Sequence, residues 1–291
     1  GATVFVHAEN GEILNFLRSE CVKKGQLTPH YHYVSRPPFT EAEAVRRAIY
    51  LAGQTDTPLY IAHMTCREAI AELQKAKGTG QRVSGETCTH YLTTTKEVLD
   101  NPDFNEAAKF VCSPALRDQE DCEALWQALA GGLLTAVSSD HCGIDVAELK
   151  QAGRDDFTQI PNGSPGAGDR LHMVWTEGVC TGKLSRQKFV DVIATQPAKI
   201  NGIYPRKGTL AVGSDADIVI FDPSYEGVIR LADNPNGVDY NLYEGRRQSG
   251  RVETVLLRGQ VVVENAKFVG RYGQGQFIPA SMYASGYENR N

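Results

Sequence analysis

Two periodicities alternate along the first two thirds of the chain and predict strands and helices in turn. Four short segments predict strands: the apolar, β-branched run at residues 3–7, then residues 58–63, 83–88 and 134–140. Between these runs apolar residues recur at helical spacing, and the capping boxes Thr40-x-x-Glu43 and Thr65-x-x-Glu68 predict where two of the helices begin. Continuous apolar strands that alternate with amphipathic helices are typical of a parallel sheet covered by helices. The pattern therefore predicts an α/β fold.

The pattern changes after Pro205, where short strands separated by turns replace the alternation. Strands are predicted at residues 216–221, 252–257 and 260–264, with a turn at Arg258-Gly259 between the last two. Beyond residue 269 the chain is rich in glycine, tyrosine and polar residues. We therefore predict an α/β domain over residues 1–204, a small β-rich domain over 205–269 and a tail over 270–291 that packs on another surface.

Composition and charge exclude several classes of protein. Apolar residues make up 41% and charged residues 22%, as in an ordinary globular protein, and the net charge is −5. This balance gives no basic footprint for nucleic acid, and the apolar runs are far below the roughly 20 residues that cross a membrane. Seven cysteines without CxxC pairs predict reduced thiols in the cytoplasm.

Metal-binding residue types stand at the ends of three predicted strands. His7, His63 and Asp140 end the first, second and fourth strands. Catalytic groups of parallel α/β folds gather at the carboxyl ends of strands, so these side chains are expected to meet at one mouth. Two imidazoles and a carboxylate suit zinc or a similar divalent ion, which acidifies bound water.

Several segments, in this order along the chain, resemble the cyclic amidohydrolases. They are residues 6–10 (Val-His-Ala-Glu-Asn), 60–63 (Tyr-Ile-Ala-His), 85–92 (Gly-Glu-Thr-Cys-Thr-His-Tyr-Leu), 113–117 (Ser-Pro-Ala-Leu-Arg) and 138–142 (Ser-Ser-Asp-His-Cys). Later stretches narrow the resemblance to the dihydropyrimidinase and D-hydantoinase branch: residues 157–163, 206–217, 238–241 and 243–245. The resemblance covers essentially the whole chain, and the ordered set is far more specific than any one motif.

This resemblance implies an architecture larger than the chain. The branch has a metal-dependent (β/α)8 barrel and a small β-sandwich, and the chain resembles only the C-terminal portion: barrel strands 5–8 and the C-terminal part of the sandwich. His7 then matches the strand 5 ligand, His63 the strand 6 ligand and Asp140 the strand 8 ligand. The resemblance implies two zinc ions per complete site, bridged by a carbamylated lysine that is absent from this chain. It also implies a homo-oligomer, a tetramer or a dimer, with the tail on a neighbouring subunit.

The implied activity is hydrolysis of a cyclic amide in pyrimidine catabolism. Dihydropyrimidines or 5-substituted hydantoins, which are small cyclic ureides or imides, would open to N-carbamoyl amino acids. Asp140 would take a proton from the attacking hydroxide and pass it to the departing nitrogen. Ser113 and Asn162 match positions that hold the substrate's cyclic amide. Without the resemblance, Ser113 and Asn162 are explained equally well as turn residues, and Asp140 has an alternative as a helix cap.

Other interpretations remain open at the level of sequence. The run at residues 85–92 also occurs in allantoinases, and non-catalytic relatives keep this fold as cytoskeletal scaffolds. Retention of both histidines and the aspartate favours an enzyme, although the chain alone is expected to be an inactive fragment. His30-Tyr31-His32 has the form of a ligand pair, but its place among prolines predicts a surface or pocket-rim loop instead. His90 and His141 are expected to be supporting or structural residues.

Overall fold

The computed structural model describes residues 2–281, and these form two compact units. The parallel-sheet unit comprises Val4–Arg170 and Ile229–Gly245. The antiparallel-sheet unit comprises residues 2–3, Leu171–Val228 and the described residues from Arg246 onward. The domain limits predicted after residues 204 and 269 stay predictions, and the last ten residues of the predicted tail lie outside the described residues.

The parallel-sheet unit is built on the four strands that the sequence predicts. These are β1 (Val4–Val6), β2 (Leu59–Ile61), β3 (Val83–Cys88) and β4 (Ala136–Ser138). Every neighbouring pair is parallel, in the order β1-β2-β3-β4, with Val4 opposite Leu59 and Leu59 opposite Val83. β2 is buried along its length, as expected for a strand covered on both faces. The α/β class with a parallel sheet is therefore confirmed.

Helices connect and cover these strands. They are α1 (Gly11–Lys23), α2 (His30–Val34), α3 (Pro38–Gln54), α4 (Arg67–Gly78), α5 (Thr89–Thr93), α6 (Phe104–Ala108) and α7 (Gln119–Ala130), with 3₁₀ turns at Lys96–Asp100, Lys150–Gly153, Phe157–Gln159 and Leu231–Asp233. Each long helix buries one apolar stripe, which includes Val45 in α3, Leu73 in α4 and Leu125 in α7. Burial of these stripes holds the helices on the sheet.

Both predicted capping boxes are wrong. α3 begins at Pro38, because proline suits the first helical position, and the Thr40 hydroxyl donates to the Pro37 carbonyl at 2.8 Å. α4 begins at Arg67 without a side-chain cap, and the Thr65 hydroxyl donates to the buried carboxylate of Glu41. A local carbonyl thus takes the Thr40 hydroxyl, and a tertiary partner takes the Thr65 hydroxyl, in place of the predicted caps.

The segment His30-Tyr31-His32 is also not the predicted loop. It forms α2, and His32 is only 3% exposed. Its Nε2 donates to the Cys112 carbonyl oxygen at 2.7 Å, and burial lowers the pKa of His32 to about 3. His32 is therefore a neutral core residue, which anchors the segment that precedes Ser113.

The antiparallel-sheet unit follows the change in pattern after Pro205. Its strands are β5 (Ile218–Val228), β6 (Arg247–Leu257), β7 (Gln260–Glu264) and β8 (Lys267–Phe268), each paired with the next in antiparallel register. The predicted turn at Arg258-Gly259 is present, and both residues have positive φ, 49° and 79°. Helical segments precede the sheet: α8 (Arg170–Val174), α9 (Arg186–Val190) and α10 (Gln196–Ile200), with π turns at Trp175–Val179 and Asp191–Thr195. Among residues 2–281 no helix has the length and apolar character needed to cross a membrane.

Candidate active site

Two of the predicted metal ligands face each other at one edge of the parallel sheet. His7 follows β1 directly and His63 lies just beyond β2, because these strands run parallel and in register. Nδ1 of His7 lies 2.9 Å from Nε2 of His63. Two nitrogen ligands of a tetrahedral zinc ion, at about 2.0–2.1 Å from the metal, would stand about 3.3 Å apart. The two rings therefore meet at a hydrogen-bond distance, slightly shorter than the spacing of two ligands on one ion.

His63 is buried in an uncommon backbone conformation. Its φ is +36°, in the left-handed region that non-glycine residues seldom adopt. The ring is 7% exposed, and its Nδ1 is buried without a hydrogen-bond partner. Burial, and then the neighbouring His7, lower the pKa of His63 below its ordinary value. The neutral ring is the form that offers a lone pair to a metal.

A buried carboxylate fixes the orientation of His7. Oε2 of Glu9 lies 3.0 Å from Nε2 of His7 and accepts a hydrogen bond from Arg36 at 2.7 Å. The side chain of Glu9 is 2% exposed, whereas that of His7 is 47% exposed. Burial raises the pKa of Glu9, but the bond from His7 and the charge of Arg36 outweigh it and leave this pKa below its ordinary value. An ionised Glu9 keeps a proton on Nε2 of His7 and leaves Nδ1 free as a ligand.

Asp140 lies two residues beyond β4, at the same edge of the sheet. Its φ is +43°, so it shares with His63 a strained backbone of the kind that gathers at functional sites. Its charge acts on His63 and opposes the lowering of that pKa. Among residues 2–281, however, no group of three or more His, Cys, Asp or Glu side chains is placed to hold a metal ion. The structure therefore brings the two histidines into contact, and Asp140 does not complete a three-residue group with them.

Ser113 and Asn162 are also brought together, although 49 positions separate them. The Ser113 hydroxyl donates to Oδ1 of Asn162 at 2.7 Å. Both carbonyls that flank Ser113 are engaged by buried side chains: that of Cys112 by His32, and that of Pro114 by the Tyr91 hydroxyl at 2.7 Å. The position of Ser113 is thus set by the core rather than by the exposed Asn162.

Glycine is required directly after Asn162. Gly163 has φ +131°, and a β carbon there would lie 2.5 Å from Cβ of Cys142. Its amide donates to the Val111 carbonyl at 3.0 Å. This carbonyl also accepts from the buried Nζ of Lys150 at 3.2 Å. The loop that carries Asn162 is therefore tied closely to the segment that leads to Ser113.

The other two histidines near this edge differ in environment. His90 is buried, its Nε2 has no hydrogen-bond partner, and burial followed by the charge of His63 lowers its pKa to about 3. His141 is exposed, and its Nδ1 accepts from the amide of Gly166 at 3.3 Å. Their supporting or structural roles stay predictions.

Sequence reasoning missed the pair Glu9 and Arg36. Glu9 lies two positions after His7, and an acid so close to a strand-end histidine indicates a hydrogen-bond partner for its ring. Arg36 gives no such signal, because 27 positions separate it from Glu9. Only the fold brings the guanidinium to the carboxylate.

Comparison with known proteins shows which family this chain resembles. The sequence profile described as "Amidohydrolase family" matches residues 6–262. The chain is 48% identical over 283 residues to a D-hydantoinase of Ralstonia pickettii and 40% identical over 285 residues to a dihydropyrimidinase of Arabidopsis thaliana. These alignments cover 97% of this chain in both cases, and 62% and 54% of the two relatives. The crystal structure of dihydropyrimidinase from Brevibacillus agri superposes with a TM-score of 0.96 at 45% identity, over 98% of this chain and 61% of that one.

Proposed function

This chain belongs to the Amidohydrolase family, and on that premise we propose that the protein opens the cyclic amide of dihydropyrimidines or 5-substituted hydantoins to give N-carbamoyl amino acids. Relatives named D-hydantoinase and dihydropyrimidinase, at 48% and 40% identity, support this substrate class. The observation that carries the proposal is the pair of facing imidazoles, His7 and His63, with Glu9 behind the first ring.

The residues present fit a divalent metal ion in part. Nδ1 of His7 and Nε2 of His63 would hold it, and we propose Asp140 as a further ligand from the same edge. Zinc is the proposed ion, because imidazole and carboxylate donors suit it. Such an ion, when bound, acidifies water and polarises a carbonyl oxygen.

The chain's own residues then supply orientation and proton transfer. Glu9 holds the His7 ring in one tautomer. Asp140, whose side chain is exposed, would accept a proton from the attacking water and deliver it to the nitrogen of the broken amide. Ser113 and Asn162 would hold the cyclic amide, since the fold brings their side chains together within hydrogen-bond distance.

Several details that the family resemblance implies remain predictions. They are the (β/α)8 barrel with strands 5–8 in this chain, the C-terminal position of the chain in its branch, the second zinc with its carbamylated lysine, the cytoplasmic location and the homo-oligomer. An allantoinase-like enzyme would open allantoin instead, and a non-catalytic scaffold would open none of these rings.

The experiment measures ring opening by the full-length protein loaded with zinc. Dihydrouracil, a 5-substituted hydantoin and allantoin are supplied separately, and the carbamoyl product is quantified by chromatography. We expect turnover of the first two substrates and its loss in His63→Asn, while the matched variant His30→Asn retains it, because His30 bonds to Asp100 away from the strand ends. Turnover of allantoin alone, or of none of the three, would overturn the proposal.

A further inference from the structure

A buried arginine lies behind the two histidines. Arg117 is 4% exposed, and its partners Glu41 and Thr65 are 1% and 0% exposed. We call Arg117, Glu41 and Thr65, with the backbone carbonyl of Arg36, the arginine cluster. Burial of a charge pair contributes little net stability, because desolvation offsets the attraction.

Arg117 uses all three nitrogens of its guanidinium in different directions. Nε donates to the Thr65 hydroxyl at 2.8 Å, one terminal nitrogen donates to the Arg36 carbonyl, and the other donates to Glu41 at 3.2 Å. Glu41 in turn accepts from the backbone amide of Thr65 at 2.8 Å and from its hydroxyl. A planar fork makes these contacts together, whereas a lysine ammonium does not.

One arm of the cluster fixes the segment that carries His63. Thr65 follows His63 by two positions, and both its amide and its hydroxyl are bound to Glu41. The intervening Met64 amide donates to the Glu86 carbonyl at 2.8 Å. The strained turn at His63 is therefore clamped immediately on its C-terminal side.

The other arm reaches His7. The carbonyl of Arg36 accepts from Arg117, while the side chain of Arg36 donates to Glu9, which faces Nε2 of His7. This second path runs through residues whose side chains are 11% exposed or less until it reaches the imidazole. One guanidinium is thus bonded directly to the segment that carries His63, and it is linked through Arg36 and Glu9 to His7.

We propose that Arg117 is a positioning residue that sets the geometry of His7 and His63 toward a shared metal ion, because its fork holds Thr65 in the loop after β2 and also holds Arg36, whose side chain binds Glu9 in the loop after β1. The inference rests on the proposed function. Arg117 touches neither histidine, so it acts through Arg36 and Glu9 on one side and through Thr65 on the other.

The test measures zinc affinity by competition with a chromogenic chelator on the full-length apo protein. Arg117→Lys keeps the charge and removes the fork. The double variant Glu41→Gln/Arg117→Met removes both charges, so that no unpaired buried charge is left to unfold the protein. The matched control is Arg67→Met, since the side chain of Arg67 also bonds to a buried carboxylate, but that of Asp121 in α7, outside the arginine cluster. The thermal midpoint of each apo protein is measured alongside.

We expect zinc affinity to fall by about 10- to 100-fold in Arg117→Lys and in the double variant, as for other residues that orient ligands, and to change less than about 2-fold in Arg67→Met. Unchanged affinity in folded Arg117→Lys would overturn this inference and leave the proposed function standing. The inference would also be overturned if Arg67→Met lost as much zinc affinity and its thermal midpoint fell in parallel. General destabilisation would then explain the loss of affinity. Failure of the unsubstituted protein to bind zinc would overturn both.

Discussion

Replacing Glu9 by glutamine tests whether the carboxylate behind His7 matters for metal binding. Both hydrogen bonds to Glu9 converge on the same oxygen, Oε2, from His7 at 3.0 Å and from Arg36 at 2.7 Å. The other oxygen, Oε1, is buried without a partner. If glutamine keeps its oxygen at the Oε2 position, its amide nitrogen is buried at the Oε1 position, where no group accepts its hydrogen bonds.

The size of the effect follows from these contacts. A hydrogen bond to a charged group contributes about 1.5–3 kcal/mol, and a neutral one about 0.5–1.5 kcal/mol. Losing the charge of Glu9 thus weakens its hold on His7 by about 1–2 kcal/mol, and a fall in zinc affinity of about 10- to 30-fold corresponds to the upper part of that range. This lies within the range of about 10–100-fold seen when a carboxylate that orients a metal-binding histidine is removed.

The assay is zinc competition with a chelator, on full-length Glu9→Gln and on the matched variant Glu12→Gln. Glu12 lies in the first turn of α1 and is exposed, so its substitution removes a nearby acidic charge without touching His7. Circular dichroism establishes that both variants are folded. Affinity within about 2-fold of the unsubstituted protein in folded Glu9→Gln would refute the orienting role assigned to the carboxylate.

Three further predictions follow. Asp140→Ala should abolish carbamoyl product while leaving the thermal midpoint nearly unchanged, because Asp140 is exposed; activity above a tenth of normal would remove it from the mechanism. Burial lowers the pKa of Lys150 to about 8 against 10.5 in the unfolded chain, so the folded state binds fewer protons between these values and its stability rises with pH. Relative to Lys150→Met, urea titrations should therefore show the protein gaining about 3 kcal/mol as the pH rises from about 8 to 10.5; a constant difference would contradict this. Leu125→Ala, in the core, should cost about 2–5 kcal/mol in the same titration, and Leu51→Ala, which is 58% exposed, less than about 0.5 kcal/mol; equal costs would contradict the packing described.

The strand predictions show where local pattern suffices and where it does not. β3 and β7 begin and end at the predicted residues, and every residue of β3 pairs with a neighbouring strand. β2 and β4 stop short of the predicted ends, His63 and Asp140, which turn away with positive φ. The sequence pattern predicts these strands too long, and the excess lies at the residues proposed to carry the chemistry. Local sequence rules are most often broken at functional sites.

The helix starts failed for a different reason. Thr65 has every local feature of a cap, yet its hydroxyl and amide bond to Glu41, 24 positions earlier. Glu41 in turn lies in the first turn of α3 and is only 1% exposed, because Arg117 donates to it from a third segment. Buried polar groups bond to the partners that the fold brings close to them, and a short sequence window does not contain those partners.

The same distinction separates what is predictable in the site from what is not. That His7 and His63 meet follows from a general rule: parallel strands in register bring their carboxyl ends to one edge. Which nitrogen of His7 faces His63 does not follow, because it depends on Glu9 and hence on Arg36. A metal ion discriminates at the level of the nitrogen atom, not of the residue. The residue types at strand ends therefore predict the kind of chemistry, while the long-range buried charges decide whether those residues are oriented to perform it.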